Sequence, residues 1–308
     1  MFAALCKWAE FVKLSHTVFA LPFALAAMAD HMTFSAFELA EMKLSTPVQV
    51  WMLLGFSLAF MVKLSVPPFH AWLPEAHTLA PTAGSILLAG LLLKTGAYGL
   101  FRFAPMLFPD GLAAVAPYGI ALGAAGALYG GLVACGQNDA KRLVAYTSIA
   151  HMSIVLMGIA AGVHYALAGA AVEMIAHSFS ASALFLLIGA LYERTHTREI
   201  PRMTGLAQRM PVAAAMFIVA GLASLGLPGM SGFVGEFLVL LGAFRTNFWW
   251  AAIAAVGVIL SAVYMLWMFQ RVFYGKVTND HNKDLPDLSF REWAIIGPLA
   301  AAAIAMGV

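Results

Sequence analysis

One lysine limits this chain more than any other residue. The run GSILLAGLLLKTGAYGLFRF, from Gly84 to Phe103, is predominantly apolar, and Lys94 stands at its centre. About 20 residues in a helix that rises roughly 1.5 Å each cover a hydrocarbon core about 30 Å thick, so Lys94 is expected near the midplane of a bilayer. A bare ammonium at that depth costs about 2.5 to 3.5 kcal/mol on insertion scales. A chain that keeps one either works with it or holds it in a buried structural salt bridge. Composition confirms the solvent: 62% of the 308 residues are hydrophobic, 10% are charged and the mean hydropathy is +0.86, which leaves too little polar surface for a soluble globule of this size. The fold expected is an all-α integral membrane protein.

The other apolar runs give the layout. A first segment spans 3 to 29, interrupted by Lys13, His16 and Pro22, with no A-x-A-like processing site that would mark a cleaved signal. A semi-polar connector, 31 to 47, has the spacing of a stretch lying along a membrane surface. A helix then runs from about Val48 to Lys63 and breaks at Pro67 and Pro68, which cannot donate to a helical ladder. Further membrane helices are expected at about 84 to 103, 112 to 135, 139 to 161, 165 to 192, 211 to 244, 249 to 274 and 291 to 308. The run from 211 carries LGLPGMSGFVGEF, so it is read as two halves, near 211 to 225 and 231 to 244. The count comes to about eight spans, two of them discontinuous, near 48-84 and 211-244. Broken backbone at membrane depth must face protein or water, and two such breaks in one apolar chain point to a transport fold.

Charge placement orients the layout. The loops near 136-142, 193-210 and 271-291 hold ten Lys and Arg residues, whereas the loops near 162 and 246 hold only Arg245. The three basic loops are therefore expected on the cytoplasmic side. The formal net charge of +2 gives no sign of a nucleic-acid partner; the partner that composition requires is membrane lipid. Cys6 and Cys135 lie in apolar runs and make neither a disulfide framework nor a metal-ligand spacing.

Five more ionisable residues sit inside the apolar runs. Lys63 ends its helix beside the proline break, where it either serves a hydrated site or snorkels to the interface. His151 lies about twelve residues into its helix, near mid-depth, after Thr147 and Ser148. Glu173 and His177 are spaced i, i+4 on one helix face, where they can share a proton or a hydrogen bond, with Ser178 and Ser180 adding polar surroundings. A lone buried histidine is also compatible with a satisfied core position. Glu236 follows the unwound glycines of the second broken helix, where it holds or releases a proton according to its neighbour. Titratable groups at similar depth on successive helices can pass protons through intervening water. No nucleophile, nucleotide or metal motif accompanies them: His70 and His77 lack a third ligand, and Pro74 stiffens the turn between them. Trp72, Trp249, Trp250 and Trp293 fall near helix ends and read as interfacial anchors.

The stretches VKLSVPPFHAWLPEAH, PTAGSILLAGLLLKTGAYGLFRF, DAKRLVAYTSIAHMS, MIAHSFSASALFLLIGALYERTHTREI and ASLGLPGMSGFVGEFLVLLG closely resemble the subunit M family of bacterial NADH-quinone oxidoreductase (respiratory complex I), related to multisubunit cation/proton antiporters. The resemblance implies an antiporter-like module over 48-308 that represents the second half of the family fold. It makes Lys63 the lysine of the first broken helix, which in the family pairs with a glutamate on an earlier helix; Glu38 and Glu41 lack the setting to replace that glutamate. It makes Lys94 and His151 a central relay with His177 beside it, and Glu236 the terminal residue toward the far side. Glu173 departs from the family, where a glutamine is expected. The resemblance further implies a bacterial inner membrane location, partners among the other antiporter-like and small membrane subunits of complex I, and no cofactor in this chain, flavin and iron-sulfur clusters residing in partner subunits. A cation/proton antiporter or a hydrogenase-linked complex shares most of these motifs. Residues 7 to 28, KWAEFVKLSHTVFALPFALAAM, instead resemble the opening helix of quinone-pathway prenyltransferases, so 1-30 is set apart from the module. The prenyltransferase alternative needs two aspartate-rich motifs, and only Asp280 and Asp284 form a DxxxD pair.

Overall fold

The fold is taken from a computed structural model that describes residues 36–42 and 44–307. The N-terminal segment expected at 3 to 29 lies outside the described residues. Among the described residues eleven α-helices follow one another: α1 (Ala36–Ala40), α2 (Thr46–Leu64), α3 (Trp72–Leu79), α4 (Thr82–Leu107), α5 (Pro109–Cys135), α6 (Ala140–Ala161), α7 (His164–Thr195), α8 (Pro211–Ser224), α9 (Ser231–Thr246), α10 (Phe248–Phe273) and α11 (Phe290–Ala305). Among the described residues, α2, α4, α5, α6, α7 and α10 are long and apolar enough to cross a membrane. The expected helix bounds hold to within a few residues, and both breaks fall where proline and glycine place them, at 65 to 71 and at 225 to 230.

α6 forms the axis of the bundle, with 94% of its most apolar window buried, against 33% for α2 and α5. Around it pack α5, α7, α9 and the short α3. Small residues make this possible. Along the α5 face that meets α6, a Cβ at Gly123, Gly126 or Gly130 would lie 2.5 to 2.8 Å from atoms of Met157, Ser153 and Ala150. Without side chains there, the two backbones approach closely enough for dispersion to hold them in an apolar solvent. The outer faces of α2, α5 and α10 carry exposed Trp51, Tyr118, Leu132, Ile259 and Val263, as helices facing lipid or a neighbouring subunit do.

The first break satisfies its own backbone. Ser65 turns left-handed at φ 61° and its N–H closes onto α2 carbonyls, while the indole of Trp72 donates to the Val62 carbonyl at 2.9 Å. Trp72 is thus a clip between α2 and α3, a more specific task than the interfacial anchor expected of it. At the other end of α3 the carbonyls of Thr78 and Ala80 accept from Arg198 and Lys141, each at 2.7 Å. Cations belong at the negative end of a helix. Lys141 itself is only 6% exposed, in the first turn of α6, which Asp139 caps through the Lys141 and Arg142 amides.

α11 is fastened by charge. Glu292 accepts two guanidinium hydrogen bonds from Arg194, at 2.8 and 2.6 Å, and closes a capping box with Ser289. Glu292→Ala removes both, and thermal unfolding in detergent should show a loss of about 2 kcal/mol.

Candidate functional site

A single line of side chains runs from α4 through α7 and α6 to α9. It starts at an irregularity: residues Leu88–Leu92 of α4 wind as one π-helical turn immediately before Lys94. This turn directs two carbonyls toward neighbours. The Lys94 ammonium donates to the Ala89 carbonyl, and the Ser178 hydroxyl of α7 donates to the Gly90 carbonyl at 2.9 Å. Single π-helical turns inside α-helices are frequent at functional positions. Held there, half-buried Lys94 places its Nζ 2.7 Å from Nδ1 of His177 on α7. The His177 ring meets the His151 ring of α6 edge to face, with centroids 5.3 Å apart. His151 Nδ1 then lies 3.1 Å from Glu173 Oε1 on α7 and 3.0 Å from Glu236 Oε1 on α9. His151, Glu173, His177 and Glu236 are each no more than 2% exposed.

The two carboxylates meet because α7 and α9 cross tightly. A Cβ on Gly235 would fall 2.7 Å from the Glu173 Cβ, so the residue before Glu236 must be glycine for the helices to come this close. The turn between α8 and α9 adds a second constraint. Gly226 adopts φ +71°, and a Cβ there would lie 2.3 Å from Glu236 Oε2. Gly226→Ala therefore pays left-handed strain of about 1–2 kcal/mol and displaces the carboxylate. A lower melting temperature is the expected outcome in the purified variant.

Several expectations change in detail. The i, i+4 pair Glu173 and His177 do share a face, yet Glu173 turns to His151 and His177 turns to Lys94. His177 is consequently the immediate partner of Lys94, and His151 follows it. Ser178 and Ser180, read as wet surroundings, donate to backbone carbonyls of Met174, Gly90 and His177; Thr147 and Ser148 donate back to Leu143 and Val144 of their own helix. Lys63 ends α2 half-buried, with no hydrogen-bond or ion-pair partner among the described residues. His70 contacts the Tyr129 hydroxyl at 3.0 Å, and His77 stacks on Phe185 with centroids 4.4 Å apart, so the two do not converge on a shared ligand. His77 is fully buried, and neither ring nitrogen has a hydrogen-bond partner among the described residues. The π-helical turn was not foreseen: AGLL has no residue that distinguishes it from ordinary helix.

The sequence profile of the NADH:quinone oxidoreductase/Mrp antiporter membrane family matches residues 11–262. The chain belongs to this family. Within the NADH:quinone oxidoreductase/Mrp antiporter family it is 44% identical over 294 residues to NADH-quinone oxidoreductase subunit M of Rhodobacter capsulatus, covering 93% of this chain and 57% of that one. With subunit M of Pseudomonas aeruginosa it shares 48% identity over 276 residues, covering 90% of this chain and 54% of the relative. The chain thus spans little more than half the length of the curated relatives it matches. Among solved structures, respiratory complex I from Thermus thermophilus with bound NADH contains a chain that superposes with a TM-score of 0.93 at 37% identity, over 100% of this chain and 65% of its own. The family match begins at residue 11, inside the stretch that the sequence set apart.

Proposed function

We propose that this chain acts as a proton-translocating subunit in the membrane arm of a bacterial respiratory NADH-quinone oxidoreductase. One observation carries the reading: half-buried Lys94 and buried His177, His151, Glu173 and Glu236 follow one another on four helices, with donor–acceptor separations of 2.7 to 3.1 Å at the two ends of the series. Such distances permit proton transfer once the groups align, and resting alignment is commonly looser than in the working state. The imidazole pair in the middle, with ring centroids 5.3 Å apart, needs one bridging water for transfer. Two carboxylates facing one imidazole need positive charge nearby, and protonated His151 or Lys94 supplies it; a proton moving along the line shifts that balance to the next group. Lys63 at the first break serves the uptake side and Glu236 at the second break the release side.

In this reading the chain performs no redox chemistry. Flavin and iron-sulfur clusters belong to partner subunits, and the neighbours in the membrane are the other antiporter-like and small membrane subunits. The basic loops, including Lys141, Arg142, Arg194 and Arg198, face the cytoplasm of a bacterial inner membrane. The module is assigned to 48-308, with 31-47 as its connector.

His151→Phe tests the assignment, because it keeps a ring between α7 and α9 but removes both nitrogens. In vesicles that contain the whole complex, quinone-linked proton release should fall about tenfold or more. Release at the unmodified level would show that the line through His151 is not the path.

A further inference from the structure

We propose that His151, Glu173 and Glu236 form a binding site for a divalent transition-metal cation of the zinc type, and that such an ion, once bound, closes the buried line. The binding stands on geometry by itself; the closure rests on the proton-path reading above. The ligand atoms of the three side chains all lie within 4.8 Å of one another. His151 Nδ1 is 3.1 and 3.0 Å from the two glutamate oxygens, yet Nδ1 and Glu236 Oε1 are without a hydrogen-bond partner among the described residues. The atoms approach without the alignment of a hydrogen bond, as donors do when they point toward a common centre. Glu173 Oε2 is likewise buried and without a partner among the described residues.

The donor set selects the class of ion. One imidazole nitrogen and two carboxylates match zinc-type ligation, in which bonds of about 2.0–2.2 Å place neighbouring ligand atoms of a tetrahedron roughly 3.3 to 3.6 Å apart. Widening the two nitrogen–oxygen contacts by a few tenths of an ångström brings both into that range. Calcium seeks about 6–8 oxygens and magnesium a largely hydrated octahedron, neither of which this small nitrogen-bearing set offers. Charge agrees as well: a divalent ion, two carboxylates and a neutral imidazole sum to zero, which lowers the burden of burial in an apolar bundle. A monovalent ion would leave one negative charge uncompensated. The second break lies beside the site, with Leu227, Pro228 and Gly229 exposed and half-buried Gly226 packed against the Glu236 carboxylate.

Glu173 is the informative position. Glutamine is expected there from the resemblance, so Glu173→Gln fits the fold while removing one anionic ligand. Co2+ serves as the probe, because its visible absorption reports tetrahedral ligation. The purified complex should bind one Co2+ at this site with a tetrahedral band, and Glu173→Gln should weaken that binding more than tenfold at an unchanged melting temperature. The exposed pair His196 and His281, with ring centroids 5.9 Å apart, is the competing surface site, and His196→Ala should leave the band intact. X-ray absorption of the unmodified protein, which needs no variant to fold, should show a low-coordinate shell of nitrogen and oxygen. An absent band, a band retained in Glu173→Gln, or a shell of water oxygens alone would overturn the site. Failure of Co2+ to bind while proton release still depends on His151 overturns the metal site only. Binding in a protein whose proton release ignores His151 overturns the conduction reading and leaves the metal site standing.

Discussion

Lys94→Ala should reduce coupled proton release in vesicles by about tenfold or more while the complex still assembles and oxidises its donor. The ammonium ties α4 to the series, reaching both the Ala89 carbonyl and His177 Nδ1. Alanine removes the charge and the donor together. Lys94→Arg separates the two, because a guanidinium keeps the positive charge but does not give up its proton in a protein. If the lysine acts by releasing a proton, arginine should fail nearly as completely as alanine. If it acts only as a fixed charge that balances Glu173 and Glu236, arginine should restore much of the activity. Unaltered release in Lys94→Ala would take the residue out of the path.

The second large effect is expected at the opposite end. Glu236→Gln preserves size and hydrogen-bonding capacity but cannot cycle a proton, so release should again fall about tenfold or more. Stability should not follow. The unmodified site holds two carboxylates against a single imidazole, and removing one of two buried like charges relieves repulsion even as it removes an attraction to His151. A melting temperature equal to or above that of the parent, combined with lost transport, would separate the working role of Glu236 from a structural one. A variant that keeps transport would show that Glu173 alone can take the terminal position.

Much of this arrangement could be read from residues before any coordinates. Apolar runs long enough to cross a bilayer are hard to disguise, and Pro67, Pro68 and the Leu225–Met230 glycines announce breaks because backbone donors and left-handed conformations are at stake there. Ionisable groups in apolar runs were equally conspicuous, and Lys94, His151, His177 and Glu236 all lie on the buried line. Pairing was harder. Glu173 and His177 share a face, but a face permits a contact without choosing it; the choice was made by α6 and α9, whose approach depends on Gly235 and on residues far away in the chain. Lys94 and His177 are 83 positions apart, and nothing local to either names the other. Trp72 illustrates the same limit, since an indole near a helix end suits an interface as well as it suits the Val62 carbonyl.

The wide turn at Leu88–Leu92 sets the phase of everything after it in α4. Each residue of an α-helix advances the chain by roughly 100° about the axis, and the wide turn takes up about one residue without that advance, so winding the same residues as regular α-helix would swing the Lys94 side chain by about that angle relative to the half that precedes it. The ammonium would then face a different neighbour altogether, with its chemistry intact and its address changed. Aim, in this helix, is written in the count of residues rather than in their kinds.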